Sequence, residues 1–340
     1  MGAVPGAVRA DSGAGRTNGR NFAAWRPMDA AMTMPRRILP GSFYMVTRRV
    51  AQRMFLLRPS DQINAILEYC LAEAAERFKI KVLAFTVMSN HYHAIVYDPD
   101  AKLPKFLERF HRMVAKAVNG HHKRWENLWS SEETCVTRLV TLDDVFDKVV
   151  YVLMNPVAAH LVESVAHYPG ASSWSRMGRG PKTVKRPAVY FRKDGVMPPT
   201  AELLVSTPPG LKGESAADWI KRVRREVHLR EEMARKERKA KRIALVGRKA
   251  VLSTDPFDAP RTEAPNRKLR PALACKDKAR MKEERAILKG FRIAYRSALE
   301  LLLKRLPKGK LKARPLLEFP AGTWRWRVLG VRCARCPAAA

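Results

Sequence analysis

Residues 82–97 read VLAFTVMSNHYHAIVY, two apolar runs interrupted by Ser89-Asn90. Each run has strand length and β-branched or aromatic content, and Asn is a turn-forming residue, so the segment reads as strands Val82–Ser89 and His91–Tyr97 joined tightly at Asn90. Upstream, Ser42–Val50 reads as a strand. Asp61–Phe78 reads as an amphipathic helix with Ile63, Ile66, Leu67, Cys70 and Leu71 on one side. Downstream come a long basic helix, Leu103–Glu126, a strand, Thr134–Thr141, and a helix, Leu142–Val162, opened by Thr141 with Asp143 and Asp144 in its first turn, where acids favour the helix dipole. The order β-α-β-β-α-β-α predicts an α+β, ferredoxin-like (split βαβ) antiparallel sheet with helices on one face.

The chain has 340 residues, 46% of them hydrophobic, enough for a full core. Lys and Arg number 65 against 32 Asp and Glu, a formal charge of +33. Such an excess marks a partner that is a polyanion, with a membrane surface as the weaker alternative. No apolar run approaches the roughly 18 residues that span a bilayer, which predicts a soluble, cytoplasmic protein. Most of the positive excess lies after Pro181. Three regions follow: 1–33, rich in Gly, Ala and Arg, read as disordered or as an over-long start before Met34; 34–180, the patterned α/β unit; and 181–340, a basic, mainly helical extension. In the extension, Ala216–Leu245 and Ala279–Leu306 read as helices, the first as an arm tracking a phosphate backbone. Trp324 and Trp326 in TWRWR suit either base stacking or packing of a strand. The five cysteines lack framework spacing, and Cys333-x-x-Cys336 has no second pair to complete a zinc site.

Residues two apart on a strand share a face, so His91 and His93 project together while Tyr92 enters the opposite layer. Two imidazoles on one face suit a divalent metal, and they equally suit a turn cap beside a half-buried strand residue. A second pair occurs in YVLMNPV, where Tyr151 and Asn155 lie one helical turn apart. Asn155-Pro156 also fits a bend, because proline pushes its predecessor out of the helical region.

Taken together, SNHYHAIV resembles the His-hydrophobic-His (HUH) motif, and YVLMNPVAAHLV is similar to the tyrosine helix of single-tyrosine HUH transposases, in particular the REP-associated tyrosine transposases. The resemblance runs from about Met34 to Trp174. It implies a metal-dependent enzyme, often a homodimer though a monomer is compatible, that cuts and rejoins single-stranded DNA beside hairpins through a 5′-phosphotyrosine, in the bacterial cytoplasm at the nucleoid. It further implies His91, His93 and Asn155 as ligands of Mg²⁺ or Mn²⁺ and Tyr151 as the nucleophile. Relatives commonly read NPVRAGLV, whereas this chain has Ala158 in place of the basic residue and His160 in place of glycine. Arg109, Arg112, Lys116, Lys123 and Arg124 of the basic helix are expected to line the DNA path, and the extension to supply affinity rather than chemistry. The competing reading is a relative that keeps the fold and binds hairpin DNA or RNA, as a repressor or structural module, without cutting.

Overall fold

A computed structural model describes residues 35–192, 194–262 and 270–305. The expectations placed on residues 1–33, on Trp324 and Trp326, and on Cys333 and Cys336 lie outside the described residues. The first unit runs β1 (Ser42–Arg49), α1 (Asp61–Phe78), β2 (Lys81–Met88), β3 (His91–Asp98), α2 (Leu103–His121), β4 (Cys135–Leu139) and α3 (Leu142–Ala158). After it come β5 (Lys182–Lys185), β6 (Thr200–Leu203), α4 (Ala216–Ala240), α5 (Arg248–Ser253), β7 (Leu273–Ala274) and α6 (Lys278–Arg305).

The main sheet has the order β2-β3-β1-β4-β7. β3 pairs antiparallel with both β1 and β2, and β4 pairs antiparallel with β1, which is the split βαβ arrangement. Helix ends follow from local chemistry. Ser60 accepts from the Ile63 N–H at the start of α1, and Thr141 with Asp144 forms a reciprocal capping box at the start of α3. α3 ends in a Schellman motif, with the Leu161 N–H on the Pro156 carbonyl and the His160 N–H on Val157. His160 holds the left-handed position of that motif at φ 55°, where glycine would be unstrained. A side chain there costs about 1–2 kcal/mol in backbone strain.

Helices cover both faces of the sheet, which corrects the one-face expectation. On one face Tyr92 and Ala94 of β3 and Phe85 and Val87 of β2 meet Leu67 and Leu71 of α1 and Phe110 of α2. On the other face α3 packs across β2 and β3. The reason is sequence-visible in hindsight: β2 and β3 are buried on both sides, so their apolar runs are nearly continuous rather than alternating.

The extension is built into this core. Trp219, Val223 and Val227, spaced four residues apart on α4, are fully buried, and α4 packs on α3. The rest of α4 keeps cations outward, among them Lys221, Arg225, Arg235 and Lys236. The outer strands of the split βαβ arrangement, β2 and β4, are also covered. Residues 171–173 bond to β2 through the Val87 N–H to the Ala171 carbonyl and the Ser173 N–H to the Phe85 carbonyl, and β7 lies parallel to β4. Unpaired strand edges are templates for unwanted pairing, so this covering has a solubility value as well as a stability one. β5, β6 and β7 were not read from the sequence, being only two to four residues long. Among the described residues no helix is long and apolar enough to cross a membrane.

Removal of everything after Gly180 would expose the α3 surface under Trp219, Val223 and Val227. At about 1.5–3 kcal/mol for each large apolar side chain, that loss is comparable to the whole stability of a typical domain. A chain ending at Gly180 is therefore expected to show no cooperative urea transition at 25 °C, while the full chain shows one. A cooperative transition in the shortened chain would establish that residues 34–180 carry a sufficient core.

Candidate active site

The register of β1, β3 and β2 sets out the floor of the site. Thr47 pairs with His93 and Arg49 with His91 across one ladder, and Thr86 with His93 across the other. His91 and His93 therefore share a face, with ring centroids 4.9 Å apart and nearly perpendicular planes. Tyr92 goes the other way, into a buried network: its hydroxyl lies 2.5 Å from His111 Nε2, His111 Nδ1 lies 2.7 Å from the Arg48 guanidinium, and the Trp129 indole N–H donates to the His111 carbonyl.

α3 supplies the roof. The Tyr151 ring stands 5.7 Å from that of His93, and its side chain is 45% exposed, so the phenol borders both the histidines and solvent. Lys148, one turn earlier, places its ammonium 5.5 Å from the Tyr151 ring centre. Asn155, one turn later, donates from Nδ2 to the Tyr151 carbonyl at 2.8 Å, leaving its Oδ1 as the free atom of the amide. The helix runs through Asn155-Pro156 without ending, so the bend reading is replaced by a continuous helix that keeps Tyr151 and Asn155 on one side.

Both imidazoles have Nδ1 engaged. His93 Nδ1 lies 2.7 Å from the Thr47 hydroxyl and His91 Nδ1 lies 2.7 Å from Asn90 Oδ1. Metal-binding histidines characteristically use one nitrogen for such an orienting contact and the other for the ion. Burial, with Arg49 adding to it, lowers His91 to about 4, and burial followed by the charges of His91 and Arg49 holds His93 well below the ordinary range. Neutral imidazoles are the ligand form. Among the described residues no group of three or more His, Cys, Asp or Glu could hold a metal by itself. The residues expected as ligands, His91, His93 and Asn155, would offer two neutral nitrogens and an amide oxygen, a set that fits a hard dication only when an anionic substrate oxygen joins it.

Of the five cations expected to line a DNA path, Arg109, Arg112 and Lys116 lie on α2, which packs with α1 beneath Tyr92, and Lys123 and Arg124 follow its end. Arg109 is held by the buried carboxylate of Glu73 at 2.6 and 2.9 Å. Arg124 is mostly buried and lies 3.6 Å from Glu126. Arg112, Lys116 and Lys123 are exposed, Lys116 over the Tyr190 ring. Thr47 and Lys148 were missed from the sequence. The signal for Lys148 was its three-residue spacing from Tyr151, whereas that for Thr47 needed the strand register.

Residues 44–136 match the family model described as "Transposase IS200 like", a segment that includes both histidines. This part of the chain is similar to the IS200-like transposases. Tyr151 and Asn155 follow the matched segment. Among solved structures, a REP-associated tyrosine transposase bound to a REP hairpin is 19% identical, covering 43% of this chain and 85% of its own, with a TM-score of 0.37. A crystal structure from Deinococcus radiodurans R1, provisionally described as a transposase, is 20% identical, covering 34% and 93%, with a TM-score of 0.27. Among curated proteins none matches the sequence.

The partly and fully buried histidines of this unit make its stability pH-dependent. His91, His93 and His111 all have folded-state values depressed by burial. Above an unfolded-state value of about 6.5 both states are neutral and the three groups have no effect. Below it the unfolded chain binds protons first, so stability falls from about pH 6.5 down toward the His91 value of about 4. Each histidine contributes up to ~1.4 kcal/mol per pH unit in that window. Urea midpoints are expected to hold level from pH 8 to 7 and to drop steeply between pH 6 and 5; a flat profile to pH 5 would show that these rings protonate freely in the fold.

Proposed function

We propose that the chain is a single-tyrosine HUH enzyme of the REP-associated kind, which nicks and rejoins single-stranded DNA beside hairpins using Tyr151 as nucleophile. The observation that carries this reading is the meeting of His91 and His93 on one strand face with Tyr151 on a helix packed above them, the phenol half-exposed. A tyrosine placed only for packing would be buried. A tyrosine placed for surface solubility would not border two dehydrated imidazoles.

In the proposed step the Tyr151 oxygen attacks a phosphodiester phosphorus, its proton passes to solvent, and the 3′ oxygen of the preceding nucleotide leaves and gains a proton. The products are a 5′-phosphotyrosine and a free 3′-OH. One phosphate ester replaces another, so the 3′-OH of the same or another strand can reverse the step without ATP. A phenol is a weak nucleophile at neutral pH, and the Lys148 ammonium 5.5 Å from the ring centre is placed to meet the anionic phosphate under attack. His91 and His93 through their Nε2 atoms, and Asn155 through Oδ1, would hold Mg²⁺ or Mn²⁺, which supplies polarisation of a non-bridging phosphate oxygen. The exposed cations on α4 and α6 then serve as phosphate contacts, consistent with a formal +33.

Replacing Tyr151 by Phe deletes one hydroxyl from an exposed position. It is expected to leave the urea midpoint within about 0.5 kcal/mol of the parent, and to abolish the detergent-stable protein–DNA adduct formed on a hairpin with a single-stranded flank. An adduct in the Phe variant would assign the nucleophile elsewhere. Chelation by EDTA is expected to stop adduct formation, with recovery in excess Mn²⁺ and little change in hairpin affinity at moderate salt. Undiminished cleavage in EDTA would remove the metal from the scheme.

A further inference from the structure

Asn90 occupies the turn between β2 and β3, and every polar group of its carbonyl and side chain is engaged. Its backbone carbonyl accepts from the Val50 N–H at 2.8 Å, its Nδ2 donates to the Arg53 carbonyl at 3.2 Å, and its Oδ1 faces His91 Nδ1 at 2.7 Å. The Arg53 carbonyl can only accept, so the amide must present its NH₂ on that side. That leaves an oxygen opposite His91, and His91 Nδ1 must carry the proton. The remaining ring nitrogen, Nε2, then has a free lone pair. With the amide reversed, an N–H would face Nδ1, the proton would move to Nε2, and the ring would be blocked as a ligand.

The Arg53 carbonyl is itself held in place. Gln52 and Arg53 are consecutive non-glycine residues in the left-handed region, at φ 52° and 61°. Such strain persists only where surroundings over-determine it. Here the surroundings come from two sides. Leu57 donates to the Ser89 carbonyl at 2.9 Å, while the extension contributes the Asp258 carbonyl to the Phe55 N–H at 2.8 Å and the Thr262 carbonyl to the Arg53 guanidinium.

We infer that Asn90 is a positioning residue, which fixes the Nδ1–H tautomer of His91 by reading the carbonyl of a strained loop that the C-terminal extension clamps. This rests on the reading of His91 as a metal ligand, but the tautomer is a property of the metal-free protein. The extension thereby acts on the site as well as on DNA.

The test uses the full chain labelled with ¹⁵N-histidine and three forms: parent, Asn90→Ala and Asn90→Asp. In metal-free protein, two-bond ¹H–¹⁵N spectra are expected to show His91 as Nδ1–H in the parent. Loss of that tautomer is expected in Asn90→Ala, and its retention in Asn90→Asp, whose carboxylate also accepts from Nδ1. His93, held by Thr47, is the internal control and stays unchanged. With hairpin DNA present, Mn²⁺ affinity measured by the EPR signal of free Mn²⁺ is expected to fall about 10- to 100-fold in Asn90→Ala and to recover in Asn90→Asp. An Asn90→Ala protein that keeps the Nδ1–H tautomer overturns the inference, as does an Asn90→Asp protein that loses it; the latter outcome decides the matter if the Ala variant does not fold. Absence of Mn²⁺ uptake by the parent with DNA would instead overturn the metal reading while leaving the tautomer result standing.

Discussion

The pairing of β3 between β1 and β2 is the constraint on which the site depends. Side chains alternate across a sheet, so the register Thr47↔His93 and Thr86↔His93 sends Tyr92 to one helix layer and His91 and His93 to the other. A slip by one residue would exchange the two sets. Each set is suited to one side only. Tyr92 needs the aromatic and polar network of Phe110, His111 and Trp129, while the histidines need α3 above them. The same alternation thus secures the register energetically and places the chemistry.

Around that centre the chain spends its second half closing what a small sheet leaves open. The α4 stripe of Trp219, Val223 and Val227 covers α3, residues 171–173 cover β2, and β7 covers β4. Lys276 adds a backbone bond to the Asp144 carboxylate at 2.8 Å and an ion pair to Asp147, both on α3. α3 is therefore held at its start by the extension and along its length by the sheet and α4. A helix fixed at so many points can present Tyr151 with little freedom, as the proposed in-line attack on a phosphate requires.

The electrostatics divide in the same way. Inside, the histidines are neutral because charging them there would cost desolvation, and no carboxylate among the described residues joins them. Outside, exposed lysines and arginines dominate. A neutral pocket in a cationic shell attracts a polyanion through long-range field and reserves the short-range work for a few oriented dipoles.

Much of this was legible in the sequence. α1 was read with its observed ends from its apolar spacing, and the strands either side of Asn90 were likewise local signals. The candidate residues His91, His93, Tyr151 and Asn155 stood out by type and spacing. What spacing could not give was which layer each helix joins. α3 on the histidine face, α2 on the other, and α4 as packing rather than as a free arm are contacts between segments far apart in the chain, decided by which apolar faces fit together and not by any local period. For the same reason Thr47 and the strained Gln52-Arg53 loop carried no mark in the sequence: their roles exist only because strand pairing and loop packing bring them to His93 and Asn90. The sequence by itself determined the elements and the chemistry available on them. The tertiary structure decided which of those groups meet, because only burial shared between distant segments can choose among the faces that each element offers.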